Sequence, residues 1–169
     1  ERALDSVDKL GGFFVRVFGG PIDEISGMAT DWLHSVRRKR LVRMNEEVDR
    51  ILLERGVTDW RTVPAKIALP LLEESSLEDD DGLHSLWNTL LANALDPGVD
   101  GGIRRAYIDM VKGLTPRDAA ILRAMYSSLR HAGVLPSGCA DYVFRRESVC
   151  HHLSLSGNDY SVSIHNLMR

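Results

Sequence analysis

The sequence predicts an all-α fold: a multi-helix bundle of seven to nine helices with a helix-turn-helix or winged-helix-like C-terminal part. Three observations carry that expectation. Apolar residues recur at three- and four-residue steps along most of the chain, the period of a helix with one buried face. No segment sustains the strict alternation of a half-buried strand. The helical runs are also punctuated by start and stop residues, among them Pro21, Thr115-Pro116, Gly56, Asp96-Pro97-Gly98 and Gly133. A chain of 169 residues buries roughly 70% of its unfolded surface, so it needs neither disulfide nor metal to hold a core. A helical bundle domain over residues 1–114 is expected, with a helix-turn-helix-like subdomain over 115–169 packed on it. A single domain is the alternative.

The elements follow in order. Leu10-Gly-Gly-Phe-Phe-Val-Arg-Val-Phe18 is too short to span a bilayer and carries Arg16. It reads as a first helix packing into the core, and Phe13, Phe14 and Phe18 also suit a peripheral membrane contact. A long helix is expected from Ile22 to Arg55, crossing the domain or breaking near its middle. Pro21 stands at its first turn, Asp23 and Glu24 at its dipole start, and Gly56 at its stop. Ile25, Ala29, Trp32, Val36, Met44, Val48, Ile51 and Leu52 form its stripe. Thr58 to Pro64 is a connector. Ala65 to Ser76 is apolar at Ile67, Leu69, Leu71 and Leu72, with Pro70 set to start or kink a helix.

Acidic Glu78-Asp79-Asp80-Asp81 suits the first turn of a helix over Leu83 to Leu95, which Asp96-Pro97-Gly98 ends. Ile103 to Leu114 is a short helix with Tyr107, Ile108 and Val111 inward. Thr115 caps the next helix, Pro116 takes its first position, and Asp118 reaches back to the cap amide. That helix runs to His131 with Ile121, Leu122, Met125, Tyr126 and Leu129 apolar, and Gly133 closes it. Phe144 to Leu153 reads as a short helix, Leu155 to Asp159 as a turn, and Tyr160 to Arg169 as a final helix. Trp87, Leu90, Leu91, Ile121 and Leu122 are the expected core.

Composition excludes several classes. The chain is 44% hydrophobic and 27% charged, too apolar to be disordered. A net charge of −3 leaves no global nucleic-acid footprint. Two cysteines, Cys139 and Cys150, are too few for a secreted disulfide framework, so a reducing cytoplasm is expected. The sequence opens on Glu1 without a Met, which reads as a piece of a longer chain.

The local charges are more informative. Arg37, Arg38, Lys39, Arg40 and Arg43 place five cations in seven residues. They read as a partner-binding stripe for an anionic surface, or as a solvated helix face balanced by Glu46, Glu47 and Asp49. Glu73, Glu74, Glu78, Asp79, Asp80 and Asp81 read as helix-capping, solvated acids, because the ligand alternation and central glycine of a calcium loop are missing. Cys150-His151-His152 invites a metal, yet adjacent histidines on a helix point about 100° apart, so no metal site is expected. No nucleophile elbow, phosphate-cradling loop or dinucleotide fingerprint is legible. A non-enzymatic protein without a cofactor is therefore expected, an enzyme with an unrecognised site being an alternative. A protein is the expected partner. DNA bound by the C-terminal helices and the Arg37 to Arg43 stripe is the alternative, weakened because Tyr160 to Arg169 carries only Arg169 as a cation, with His165 and Asn166 as polar readers.

One resemblance adds to this reading. The stretch Ala68 to Pro97 contains Glu78-Asp79-Asp80-Asp81, then Leu83-His-Ser-Leu-Trp-Asn-Thr-Leu-Leu-Ala92, then Asp96-Pro97. Ala106 to Leu122 contains Val111-Lys-Gly-Leu-Thr-Pro-Arg-Asp-Ala119, and the chain closes on Ser163-Ile-His-Asn-Leu-Met-Arg169. These blocks resemble the abortive infection alpha family, and the basic run from Arg37 to Arg43 fits the family's upstream region. The resemblance covers most of the chain and is most specific between Leu72 and Leu122. It implies a bacterial protein tied to defence against bacteriophage, and it assigns no catalytic residue.

Overall fold

Seven helices carry the described residues of a computed structural model: α1 Arg2–Phe18, α2 Arg38–Glu54, α3 Ala65–Leu77, α4 Asp81–Leu95, α5 Arg105–Lys112, α6 Pro116–His131 and α7 Gly157–Leu167. The structure describes residues 2–20, 37–99, 101–131, 153 and 156–168, and among them there is no strand. The all-α expectation holds, and the winged-helix detail finds no strand among the described residues to support it. The chain divides into two compact units, Glu1–Lys112 and Gly113–Arg169.

In the first unit, α2 lies against α1, α3 and α4, and α5 closes on α3 and α4. The spacing of apolar residues explains the arrangement. Leu41, Met44, Val48 and Leu52 recur at three- and four-residue steps on α2, and all four are buried. They meet Phe13, Phe14 and Val17 of α1, Leu71 and Leu72 of α3, and Trp87, Leu91 and Leu95 of α4 in one core. Phe13 and Phe14 are buried there and Phe18 packs against it, as the reading of a first helix packing into the core expects. Among the described residues no helix is long and apolar enough to cross a membrane. Arg16 ties α1 to α2 through Asp49 and Asn45. Its guanidinium also lies 5.7 Å from the Phe13 ring centre and 5.4 Å from that of Trp60.

The connector between α2 and α3 stitches this unit together. Gly56, at φ +70°, ends α2 as expected. Further on, Arg61 N–H donates to the Leu95 carbonyl at 2.9 Å and Val63 N–H to the Val17 carbonyl at 2.7 Å. The Arg61 guanidinium donates to the carbonyls of Ala94, Asn93 and Val99. It thereby caps the C-terminal end of α4, where carbonyls lack helical partners and the dipole favours a cation. Gly19, at φ +80°, lets the chain leave α1 beneath Thr62; a β-carbon there would sit 2.7 Å from the Thr62 methyl.

Several expectations need correcting. The helix expected over Ile22–Arg55 is described only from Arg38 to Glu54, and residues 21–36 lie outside the described ones. Pro70 does not start α3. It is the sixth residue of a continuous helix and removes one backbone donor. Tyr107 and Leu122, expected inward, are 40% and 37% exposed, and Tyr126 is more exposed still. On short α5 only Ile108 is buried, and on α6 only Asp118, Ala119 and Ile121. Finally, α7 starts at Gly157 rather than Tyr160, because Ser156 caps it. The helix expected from Phe144 lies, apart from Leu153, outside the described residues, as do Cys139, Cys150, His151 and His152.

Candidate functional site

The basic stripe forms the beginning of α2. Arg37 is the N-cap residue, in extended backbone with no side-chain cap, and the first turn contains no acid. Cations here oppose the helix dipole, whose positive end lies at the N-terminus. Acids from the elbow between α3 and α4 answer them, while Glu47 and Asp49 of the same helix pair with other arginines. Arg37 and Arg40 both reach one oxygen of Asp79, at 2.8 and 2.7 Å. Arg43 reaches Asp81 at 2.8 Å. Glu47 is taken by Arg50 and Asp49 by Arg16.

These pairs stay wet. The side chains of Arg37 and Arg43 are 55% and 54% exposed and that of Asp79 is 68% exposed; Arg40, at 23%, is largely covered. Such pairs contribute roughly 0–1 kcal/mol each. Their effect is positional: the guanidinium groups are held in place while still presenting donors to solvent. Lys39 is exposed beside them. The structure thus brings Arg37, Arg40 and Arg43 onto one surface with Asp79 and Asp81.

The elbow itself is ordered by capping. Asp80 accepts from Leu83 N–H at 2.9 Å and caps α4, as the acidic run predicts, while Glu78 accepts from Asp80 N–H. One turn into α4, His84 is 1% exposed. Burial, then the charges of Arg43 and Arg40, push its pKa below the ordinary histidine value. Its Nδ1 lies 3.3 Å from the Asn88 amide nitrogen. The Nε2 of His84, the Nε1 of Trp87 and the Oδ1 of Asn88 are buried without a hydrogen-bond partner among the described residues. Sequence reading had no role for His84. Its only signal was a histidine placed on the buried face of an otherwise apolar helix.

Among the described residues of the second unit, one carboxylate is buried. Asp118, 1% exposed, accepts from Thr115 N–H at 2.9 Å, Thr115 Oγ1 at 2.8 Å and Asn166 Nδ2 at 2.7 Å. Its own N–H donates to Thr115 Oγ1, completing the expected capping box. Burial alone would raise its pKa, but hydrogen bonds from Ser163, Thr115 and Asn166 outweigh that and hold it below the ordinary value. Asn166, named above with His165 under the DNA alternative, donates internally to Asp118. Arg117 pairs with Asp159, which completes the Ser156 cap of α7. Among the described residues no group of histidine, cysteine or acidic side chains is placed to hold a metal ion.

No curated protein and no solved structure matches this chain. The model of a family described as abortive infection alpha matches residues 36–169, from the threshold of the basic stripe through both capping boxes. The chain belongs to the abortive infection alpha family.

Proposed function

We propose that this chain is a phage-defence protein that acts by binding another macromolecule, a protein, through the start of α2, with Arg37, Arg38, Lys39, Arg40 and Arg43 as the contact stripe and no bond-making chemistry of its own. The abortive-infection context comes from its family. One observation supports the binding surface above the others: four cations occupy the N-cap and first turn of α2, the end of a helix where positive charge is locally unfavourable. Residues that break a local rule without an internal gain are expected at functional positions.

The elbow acids favour a protein over nucleic acid. Asp79 and Asp81 put two carboxylates among the guanidinium groups, and a phosphate backbone laid on this surface meets like charge at both. A protein with its own mixed charges complements it.

The test is a phage challenge of cells carrying the wild-type chain or a variant with Arg37→Ala, Lys39→Ala and Arg43→Ala. Neutralisation is preferable to reversal, because a glutamate at 37 or 43 would face Asp79 or Asp81. The expected result is loss of protection with a stability change under about 1 kcal/mol. Full protection by a folded variant refutes the stripe. Salt-sensitive DNA binding by the purified chain that this variant abolishes would refute the protein partner.

A further inference from the structure

A different surface of the first unit carries a second assignment. A cavity of about 630 Å³ opens where the connector, the start of α3 and the start of α5 meet. Four cationic side chains line it, Arg61, Lys66, Arg104 and Arg105, and among the described lining residues there is no carboxylate. Arg61 is committed to the α4 carbonyls. Lys66, Arg104 and Arg105 are exposed and form no ion pair with any described residue. This contrasts with the stripe on α2, where Arg37, Arg40 and Arg43 each have an aspartate. Three like charges converging on one concavity repel one another, and an anion between them relieves that repulsion.

The other lining is apolar. Val63 and Ile67 are buried core residues whose edges reach the cavity, and Ile103 packs against the same core. The approach of Arg104 and Arg105 depends on Gly101 and Gly102, consecutive residues at φ +75° and +60°, a conformation that side-chain-bearing residues rarely adopt. The volume falls within the roughly 300–1,000 Å³ of ordinary small-molecule sites. An apolar wall with a cationic rim suits a ligand whose one end is flat and greasy and whose other end bears phosphates.

We infer that this cavity binds a small phosphate-bearing ligand of nucleotide size, its phosphates against Lys66, Arg104 and Arg105 and its organic part against Ile67 and Ile103. The stripe on α2 takes no part in it.

Isothermal titration of the whole chain at low salt tests this with four probes: inorganic phosphate, pyrophosphate, ATP and adenosine. Saturable binding is expected for pyrophosphate, tighter binding for ATP, and none for adenosine. The variant Lys66→Gln, Arg104→Gln, Arg105→Gln is expected to weaken ATP at least tenfold at an unchanged unfolding temperature, since all three side chains are exposed. Arg37→Ala with Arg43→Ala is expected to leave ATP affinity as it was. Three results overturn the assignment: no saturable binding of any phosphate probe up to about 10 mM, equal loss in the stripe variant, or an undiminished affinity in the glutamine variant. Pyrophosphate binding as tightly as ATP overturns the nucleotide-sized ligand.

Discussion

Replacing Asp118 with alanine probes the second unit at its most constrained point. The carboxylate accepts both cap donors of Thr115 and the Asn166 amide, and Ser163 adds a further hydrogen bond. Loss of a helix cap costs about 1 kcal/mol. Buried donors left without an acceptor cost about 1–3 kcal/mol more. The expected destabilisation is therefore about 2–4 kcal/mol, with Asp118→Asn, which keeps one acceptor oxygen, losing roughly half as much. Urea unfolding with hydrogen exchange on peptides from α6 and α7 measures it, and protection should fall in both helices because Asp118 bonds to each. The pH dependence has a definite sign. The folded-state pKa is depressed, so the stabilisation is complete above the unfolded value of about 3.9 and fades as pH falls through the folded one. The gap between wild type and Asp118→Ala should accordingly narrow below about pH 4. A loss under about 1 kcal/mol, or an effect confined to α6, would refute the reasoning.

Other perturbations test other parts of the fold. His84 is held neutral by burial, so an unfolded chain binds a proton there more readily. Its stabilising contribution is whole above about pH 6.5 and declines as pH drops below that value. His84→Leu should flatten the stability slope as pH falls below about 6.5, and an unchanged slope counts against the buried neutral ring. Trp87→Ala, at 2% exposure in the core, should cost about 3–5 kcal/mol in a denaturant titration. Gly19→Ala combines a positive φ with a 2.7 Å approach to Thr62, whereas Gly56→Ala meets open space. The first should destabilise by more than the roughly 1–2 kcal/mol expected of the second, and adding Thr62→Ser, which deletes the offending methyl, should recover the difference.

What could be read in the chain differs from element to element for physical reasons. Helix α4 and the Thr115 cap were legible because their signals are local: a cap, a period and a Pro-Gly stop within fifteen residues or so. The Ser156 cap uses the same chemistry three residues from Asp159, inside a Ser-Gly-Asn-Asp stretch whose composition is that of a turn. Burial of Tyr107 and Leu122 was misjudged because a period marks a face without fixing how much of it a partner covers. The stripe was legible as composition, but its counter-charges were not. Asp79 and Asp81 stand 38–42 residues from their arginines, and only the turn between α3 and α4 brings them back. The Lys66, Arg104 and Arg105 convergence was hidden for the same reason, since separate helix starts supply its members.

The place of α1 bears on how this protein can be handled. The family match begins at residue 36, yet Leu10, Phe13, Phe14 and Val17 belong to the same core as Trp87 and Leu91. A recombinant fragment trimmed to the match would strip one wall from that interior and leave the Val63 amide without the Val17 carbonyl. Such a fragment should expose greasy surface and clump on purification. Expression of this chain gains by keeping Arg2–Phe18 ahead of the recognised boundary.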